Sequence, residues 1–376
     1  MSQSHWTFGT STLRRIVEHE GPILSPFEIF GDCTQTHLDQ NRSWLVPRFQ
    51  DTASGILIIT IQSFLIRQNG LTILVDACGG NDKERARPHF HRRSWPWLET
   101  LRSAGVAPED IDVVLCTHLH VDHVGWNTRL ENGRWVPTFP NARYLIARRE
   151  WEYWRAAGPA AFAFTGDYIS DSVLPIFKSG QVDLIGDEHM IATEIALEPA
   201  PGHTPGLTLV RLGGGRQEAI LCSDLMHHPL QVRYPTWSTR FCADPDQARR
   251  TRIEFFKNHA DSGRIVFPTH FPTPTGGTIV RDGAEYLFVF DGESDSATRK
   301  EFARPLLRRS MSANGPGCVK THTSGKCRKH NSLTWHPSVC PQHYQFSRRA
   351  ISPRCFYARG GRWSFHTAWT QSRHSQ

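Results

Sequence analysis

The 376-residue sequence predicts an α/β protein in which two sheets form a sandwich with helices outside. Apolar segments of strand length recur at residues 144–146, 207–212 and 286–290. Helical segments at residues 148–156 and 246–260 alternate with these strands, as expected for an α/β chain. A hydrophobic content of 39% is enough for one large core, and no repeat of fixed period indicates a solenoid.

A β-hairpin is predicted from its turn residues. Residues 55–66 and 71–75 have the composition of strands, and Asn69 and Gly70 lie between them. The Asn-Gly pair readily adopts the positive φ angles that a tight hairpin turn requires. Asp76 ends the second strand. There it either forms a turn or accepts a hydrogen bond from a metal-binding side chain.

A charged, irregular segment follows the hairpin. Residues 79–93 are predicted to form a solvated loop that could act as a lid, and His89 and His91 lie within it. Residues 95–104 predict a helix, and the apolar residues 113–116 predict a short buried strand. The chemistry-bearing part of the sequence begins directly after this strand.

Three histidines and one aspartate lie within six residues after the buried strand, as His118, His120, Asp122 and His123. Neutral imidazole and carboxylate groups together are ligands of borderline divalent metal ions. In an extended chain, residues two apart share a face, so His118 and His120 project the same way. Asp122 and His123 begin a glycine-containing loop and can approach from another direction. The spacing therefore predicts metal binding, with one ion on each pair.

Three later segments each supply one more ligand type. His203 lies in a Pro-Gly-His-Thr-Pro-Gly loop, Asp224 follows an apolar strand at residues 219–222, and His270 follows another at 264–267. Taken alone, each has an ordinary structural explanation: a turn residue, a helix N-cap and a surface histidine. Their order after the first cluster favours a role as ligands.

This arrangement resembles the ligand pattern of the metallo-β-lactamase superfamily of binuclear metallohydrolases, over about residues 20–290. The matching positions are His118, His120, Asp122, His123, His203, Asp224 and His270. The resemblance implies an αββα sandwich: two mixed sheets packed face to face, helices outside, and metal ions at one edge. It also implies two metal ions that share one carboxylate. The first would be held by His118, His120 and His203. The second would be held by Asp122, His123 and His270. The shared carboxylate would be that of Asp224.

The residues after Asp224 refine the resemblance. N-acyl-homoserine lactonases carry a tyrosine three positions after the bridging aspartate, whereas the methyl parathion hydrolase-like branch carries a histidine. This chain has His227 there and resembles the latter branch more closely. His227 is expected to donate a proton or a hydrogen bond to the substrate, or else to cap the segment after the strand. His228 is expected to be solvated. Trp126, Trp237 and Phe271 are candidates for an apolar pocket wall, and packing in the core would explain them equally well.

The implied function is hydrolysis by a metal-bridging hydroxide that attacks a lactone, ester or phosphotriester-type small molecule. Two ions about 3.5–4 Å apart lower the pKa of a shared water and stabilise the oxyanion that forms. Asp122 would orient the hydroxide as well as bind metal, so Asp122 and His227 are the predicted catalytic residues. The expected cofactors are two divalent ions, with Zn²⁺ preferred and Mn²⁺, Fe²⁺ or Co²⁺ as alternatives.

Three alternatives stay open. A glyoxalase-II-like thioesterase uses the same ligand set, but it needs basic residues near the pocket for glutathione, and the sequence does not place any. A nuclease of the same superfamily is a second alternative, suggested by the basic C-terminal residues. From a different class, the chain could be a metal-binding scaffold without catalytic activity. Competent ligands at all seven positions argue against this last reading.

The distribution of charge divides the chain into two parts that we expect to differ in structure. Residues 306–376 contain 12 of the 43 Lys and Arg residues and none of the 36 Asp and Glu residues, so the net charge of +7 arises there. We expect a hydrolase domain over residues 1–300 and a disordered basic tail over residues 301–376. The tail contains cysteines and histidines, but no CxxC pair that would indicate a zinc module.

The remaining sequence features bear on where the protein is located and what its partners are. The amino-terminal residues lack the apolar region of a secretory signal, and no apolar run approaches the roughly 18 residues that a membrane span needs. Nine cysteines without regular spacing do not form a disulfide framework. We therefore expect a cytoplasmic protein that acts on a small molecule, without a membrane or nucleic-acid partner. A homodimer is left open.

Overall fold

The structure is a computed structural model that describes residues 5–214 and 217–302. The strands in these residues, in chain order, are β1 (His5–Phe8), β2 (Ser11–Leu24), β3 (Leu57–Gln68), β4 (Leu71–Val75), β5 (Val113–Cys116), β6 (Thr128–Glu131), β7 (Arg134–Pro137), β8 (Arg143–Ala147), β9 (Val182–Ile185), β10 (His189–Ala192), β11 (Ile195–Pro199), β12 (Thr208–Gly214), β13 (Gln217–Ser223), β14 (Ile265–Pro268), β15 (Gly277–Asp282) and β16 (Glu285–Phe290). The helices are α1 (Pro26–Ile29), α2 (Gln35–Leu45), α3 (Trp97–Ser103), α4 (Arg148–Ala156), α5 (Ile169–Ser172), α6 (Leu174–Lys178), α7 (Leu230–Arg233), α8 (Pro245–His259) and α9 (Asp295–Phe302).

The strands form two seven-stranded mixed sheets and one small hairpin. The first sheet has the order β1-β2-β3-β4-β5-β8-β9, and the second runs from β10 to β16 in sequence order. The first sheet contains three parallel pairs: β4 with β5, β5 with β8, and β8 with β9. The second sheet contains one parallel pair, β13 with β14. The other strand pairs are antiparallel. Strands β6 and β7 pair only with each other.

Three apolar clusters define the layers. One cluster lies between the sheets and joins residues such as Phe64 and Leu115 of the first sheet to Val210 and Leu221 of the second. A second cluster packs the outer face of the first sheet against helices α3 to α6. A third packs the outer face of the second sheet against α1, α2, α7 and α8. The predicted αββα sandwich is therefore confirmed.

The alternation of side chains along β3 explains how one strand serves two layers. Phe64 and Ile66 face the second sheet, whereas Ile61 and Leu65 face the outer helices. This period of two is the geometry of a pleated strand that is buried on both sides. Strand β3 is nearly buried throughout because the helices cover the face that the second sheet does not.

Most predicted elements appear close to their predicted positions. Strands β3 and β4 form the expected antiparallel hairpin, and the turn residues Asn69 and Gly70 have φ angles of 49° and 87°. Helix α9 ends two residues beyond the predicted domain boundary at residue 300. The predicted disordered tail otherwise lies outside the described residues, so the division of the chain stays a prediction. Among residues 5–214 and 217–302, no helix combines the length and apolar character that crossing a bilayer requires.

The loop between β4 and α3 differs from the predicted solvated segment. Lys83 and Arg85 are buried, and the Arg85 guanidinium makes two hydrogen bonds of 2.6 and 2.8 Å to the carboxylate of Asp171. The Lys83 ammonium donates to Thr128 Oγ1 over 2.6 Å and lies 3.6 Å from the centre of the Trp135 ring. Because these charges find partners inside the fold, the loop is anchored against α5 and the β6–β7 hairpin.

Candidate metal centre

Four strand ends converge at one edge of the sandwich. The parallel strands β4 and β5 end in Val75 and Cys116, and the parallel strands β13 and β14 end in Ser223 and Pro268. The polar residues that follow them therefore meet at the same edge. Two backbone bonds tie the sheets together there. The Thr208 amide donates to the Thr117 carbonyl, and the Thr60 amide donates to the His270 carbonyl, both over 3.0 Å.

The structure brings all seven predicted ligands to this edge. His120 Nδ1 lies 3.1 Å from His118 Nε2 and 2.9 Å from His203 Nε2. Asp224 Oδ2 lies 3.2 Å from His203 Nε2 and 3.6 Å from His118 Nε2. The ligand atoms of these four residues all lie within 4.8 Å of one another, close enough to surround one metal ion.

A second group lies on the other side of Asp224. The ligand atoms of Asp122, His123 and His270 also lie within 4.8 Å of one another. Asp224 Oδ1 is 3.3 Å from His123 Nε2 and 3.1 Å from His270 Nε2. His270 Nε2 also lies 3.2 Å from Asp224 Oδ2, so the carboxylate of Asp224 lies between the two groups and contacts both.

The outward-facing nitrogens of several rings have acceptors. His123 Nδ1 donates to Asp76 Oδ2 over 2.8 Å, and His270 Nδ1 donates to the Thr60 carbonyl over 2.8 Å. A ring that donates from Nδ1 presents the lone pair of Nε2 to the cluster, which is the form that binds metal. Asp76 also accepts the Thr117 amide over 2.8 Å, so it fixes the chain just before His118. The interpretation of Asp76 as a supporting acceptor agrees with these contacts.

The electrostatics of the cluster favour a bound cation. Burial, as the largest effect, holds the pKa of His118 and of His120 well below the usual range, so both rings are neutral. Burial would raise the pKa of Asp224, but nearby imidazoles, with His123 the strongest, hold it well below its usual value. Burial opposes protonation of His123, yet Asp224, Asp76 and Asp122 raise its pKa well above normal. The carboxylates thus attract positive charge, which a divalent ion supplies as it displaces protons.

Unpartnered buried atoms show that the residues fit a metal. His123 Nε2 and Asp224 Oδ1 are buried and have no hydrogen-bond partner within the described part of the chain. Leaving such groups unpaired costs roughly 1–3 kcal/mol each. A donor set of imidazole nitrogens and carboxylate oxygens suits Zn²⁺, Mn²⁺, Fe²⁺ or Co²⁺. These two unpartnered atoms belong to predicted ligands, and a bound metal ion would give them a partner.

His227 lies at the same cluster, whereas His228 does not. His227 is buried with its Nε2 3.2 Å from Asp224 Oδ2, and burial lowers its pKa to about 4, so the ring is neutral. The expectation that His228 is solvated is wrong. Its ring is fully buried and its Nε2 lies 3.0 Å from the Phe49 carbonyl, within the core between α2 and the second sheet.

A cavity of about 340 Å³ opens onto the cluster. Its wall includes Ile59, Ile61 and Phe164 together with Asp122 and His227. Such a mostly apolar cleft with a few convergent polar groups is typical of a small-molecule site. The predicted wall residues do not line this cavity. These residues belong to the core instead. Trp126 is stacked on Trp97, and Trp237 and Phe271 lie in the cluster on the outer face of the second sheet.

Glu150 is a supporting residue that the sequence interpretation missed. It is fully buried on α4. One carboxylate oxygen accepts the Leu119 amide over 2.9 Å and Trp154 Nε1 over 2.7 Å. The other accepts the Gly206 amide over 2.9 Å. A Cβ atom at Gly206 would lie 2.5 Å from the Glu150 backbone nitrogen, so the approach requires glycine. Glu150 thus holds the loop that carries His118 and His120 and the loop that carries His203. The sequence feature that could have indicated this role is its position one helical turn before Trp154.

Glu18 supports the other side of the site and was also missed. Its carboxylate accepts the Gly79 and Gly80 amides over 2.9 and 3.0 Å and Trp126 Nε1 over 2.6 Å. Burial raises the pKa of Glu18 to about 7 against the effect of these three donors. Glu18 therefore connects β2 to the loop after β4 and to the turn after His123. Its partners lie far away in sequence, so no local pattern indicates this role.

Comparison with known proteins agrees with this geometry. The family model of the metallo-beta-lactamase superfamily matches residues 60–270. N-acyl homoserine lactonase AttM of Rhizobium radiobacter is 32% identical over 173 residues, which are 41% of this chain and 60% of that protein. Metallo-beta-lactamase domain-containing protein 1 of Xenopus laevis is 34% identical over 237 residues, which are 61% of this chain and 78% of that protein. The chain thus spans about six tenths of the length of the AttM lactonase.

Solved structures share the fold. The dizinc quorum-quenching lactonase AidC superposes with a TM-score of 0.63 at 20% identity, over 77% of this chain and 98% of its own. The hydrolase AbOPH superposes with a TM-score of 0.64 at 22% identity, over 78% of this chain and 99% of its own. The family model covers more than half of the chain, from β3 through all the ligand positions. The chain therefore belongs to the metallo-β-lactamase superfamily.

Proposed function

We propose that this chain is a binuclear hydrolase that opens lactones or cleaves esters of small molecules. The observation that carries this proposal is the pair of ligand groups around Asp224 at the end of a largely apolar cavity. Lactonases are among the relatives, and the fold is shared with a dizinc lactonase. These similarities support the choice of lactone and ester substrates and of zinc as the first metal to test.

In this proposal the two groups of side chains around Asp224 would hold one metal ion each. His118, His120 and His203 would bind one ion, and Asp122, His123 and His270 would bind the other, with Asp224 between them. The ions would supply hydroxide at neutral pH and polarise the carbonyl group of the substrate. The apolar wall would exclude water from the rest of the cleft and bind the acyl part of the substrate.

Two side chains have further roles in this proposal. Asp122 is the more exposed carboxylate of the cluster, with 21% of its side chain accessible, and one oxygen lies 3.7 Å from His270 Nε2. It would accept a hydrogen bond from the attacking water and so orient it. His227 is neutral and lines the cavity beside Asp224, so it can donate to the oxygen that leaves the carbonyl carbon. In ring opening, that oxygen becomes the hydroxyl group of the product, and a proton from the attacking water would replace the one that His227 gives up.

One observation also favours the thioesterase alternative. The cavity is lined by the side chains of Arg87 and Arg240, basic residues of the kind that a glutathione thioester would need. The nuclease alternative has no such support, because the cavity wall is mostly apolar and the basic tail lies outside the described residues. The substrate panel must therefore include thioesters and a phosphodiester.

The proposal predicts metal-dependent turnover of a lactone or an aryl ester. Purified protein is treated with a chelator, reloaded with Zn²⁺ or Mn²⁺, and assayed on a lactone, an aryl ester, a thioester, a phosphotriester and a phosphodiester. We expect hydrolysis of the lactone or the aryl ester to disappear with the metal and to return on reloading. Activity that survives complete metal removal would contradict the proposal, as would turnover restricted to the phosphodiester.

A further inference from the structure

Two arginines give the candidate cavity a cationic rim. Arg87, from the loop before α3, and Arg240, from the segment before α8, line the same cavity as the predicted ligands. Arg240 is exposed and Arg87 is half-buried, so both lie where the cavity opens to solvent. The lining also includes Ile59 and Ile61 of β3, which carry no charge.

The two guanidinium groups enclose a single aromatic ring. The Arg87 guanidinium carbon lies 4.3 Å from the centre of the Phe164 ring, and that of Arg240 lies 4.9 Å from it. Phe241 packs on the same ring, with centroids 5.4 Å apart. Cation–π contacts of this kind position a guanidinium without using its N–H groups. The ring therefore helps to hold the two arginines in place without occupying their N–H donors, although one donor of Arg87 bonds to Glu28 over 2.8 Å.

The charge of the rim is only partly neutralised. Glu28 pairs with Arg87 over 2.8 Å. Within residues 5–214 and 217–302, no carboxylate lies within ion-pair distance of Arg240, and no hydrogen bond of its guanidinium to another described residue is present. The rim thus retains one positive charge, with the planar set of donors of Arg240 at the cavity. That donor geometry matches a carboxylate, which accepts two parallel N–H bonds.

We propose that Arg240 binds a carboxylate on the substrate, so that the preferred substrate is an anionic ester or lactone rather than a neutral one. In this arrangement the scissile carbonyl lies at the ligand cluster, an apolar segment lies along Ile59 and Ile61, and the carboxylate lies at Arg240. This inference rests on the proposed hydrolase function and adds a substrate class to it. Because Arg240 contacts a remote part of the substrate, its contribution should appear mainly in KM.

The test compares two esters that differ only in charge. Mono(4-nitrophenyl) adipate and its methyl ester share the same scissile bond and the same chain. In wild-type protein we expect kcat/KM for the acid to exceed that for the methyl ester by about tenfold, the effect of one charge-assisted hydrogen bond at a partly exposed site. Arg240→Gln should abolish the preference by raising KM for the acid to about the value for the methyl ester.

A matched control removes the same charge elsewhere. Arg102 is an exposed residue on α3 that does not line the cavity, and Arg102→Gln should retain the full preference. Equal kcat/KM for acid and methyl ester in wild-type protein would overturn the inference. A preference that persists in Arg240→Gln would overturn it as well. In both cases the proposed hydrolase function would stand, because both esters would still be cleaved.

A binding measurement separates failure of the inference from failure of the function. If neither ester is hydrolysed, the proposed function is decided by the lactone assay described above, and the inference is tested separately with the corresponding anilides by titration calorimetry. We expect adipic acid monoanilide to bind about tenfold more tightly than its methyl ester, and Arg240→Gln to remove the difference. Equal binding of the two anilides would overturn the inference.

Discussion

Replacement of Asp224 by alanine will remove metal and activity together. The carboxylate lies between both ligand groups, with Oδ2 3.2 Å from His203 Nε2 and Oδ1 3.3 Å from His123 Nε2. Its loss leaves each group without one oxygen ligand and removes the negative charge that offsets two cations. We expect less than one metal ion per chain and a fall in kcat/KM of more than about 10³-fold, since the ligands act as a unit. Elemental analysis and steady-state kinetics on the most active ester measure both effects.

His227→Ala is the matched comparison for this variant. His227 Nε2 lies 3.2 Å from the same Asp224 oxygen, but we assign it a proton-donating role and not metal binding. The variant should keep its metal content and lose about 10²- to 10⁴-fold in kcat, the range for one general acid or base. If His227→Ala lost metal as Asp224→Ala does, His227 would be a ligand. If Asp224→Ala kept two ions, the bridging role would be wrong.

Replacement of Glu150 by alanine will destabilise the fold and weaken metal binding, although Glu150 is not one of the predicted ligands. Its buried carboxylate accepts the amides of Leu119 and Gly206 and the Trp154 indole. Alanine leaves three buried N–H groups without acceptors, at roughly 1–3 kcal/mol each. We expect the free energy of unfolding to fall by roughly 3 kcal/mol or more. Metal affinity should fall by about 10- to 100-fold, as for other residues that position ligands.

The control for this prediction lies two residues away on the same helix. Glu152 is exposed on α4, so Glu152→Ala should change unfolding by less than about 0.5 kcal/mol. Denaturant unfolding of the metal-free and metal-loaded proteins measures stability, and competition with a chromogenic chelator measures affinity. A Glu150→Ala variant with the stability and metal affinity of Glu152→Ala would show that the three hydrogen bonds are not important for the ligand loops.

The ligand positions could be predicted because the first four form a recognisable local pattern and the later three follow it in the order of the family's ligands. His118 and His120 come directly after a buried strand, and Asp224 and His270 come after two others. Parallel pairing then brings the ends of β4 and β5, and of β13 and β14, to the same edge. The spacing of residues after a strand is a short-range property of a sequence, whereas the pairing that joins the strand ends is set by the whole fold. The structure places these residues together, and their role as ligands stays a proposal.

The supporting and pocket residues could not be predicted, because their roles depend on partners that are distant in sequence. Glu18 binds the Gly79 and Gly80 amides, about 60 positions away. Lys83 and Arg85 read as loop charges, yet both are buried against Asp171. Tertiary packing also reversed the reading of the tryptophan and phenylalanine candidates, which fill the core. Burial of a charged or aromatic side chain is decided by the whole fold.

The most direct test of the account is the position of metal ions in a crystal grown with Zn²⁺. Diffraction data collected above and below the zinc absorption edge locate the ions without reference to any assumed chemistry. We predict two anomalous peaks per chain, each next to Asp224: one among His118, His120 and His203, and one among Asp122, His123 and His270. A single peak, or peaks that do not contact Asp224, would contradict the binuclear centre on which the proposed function depends.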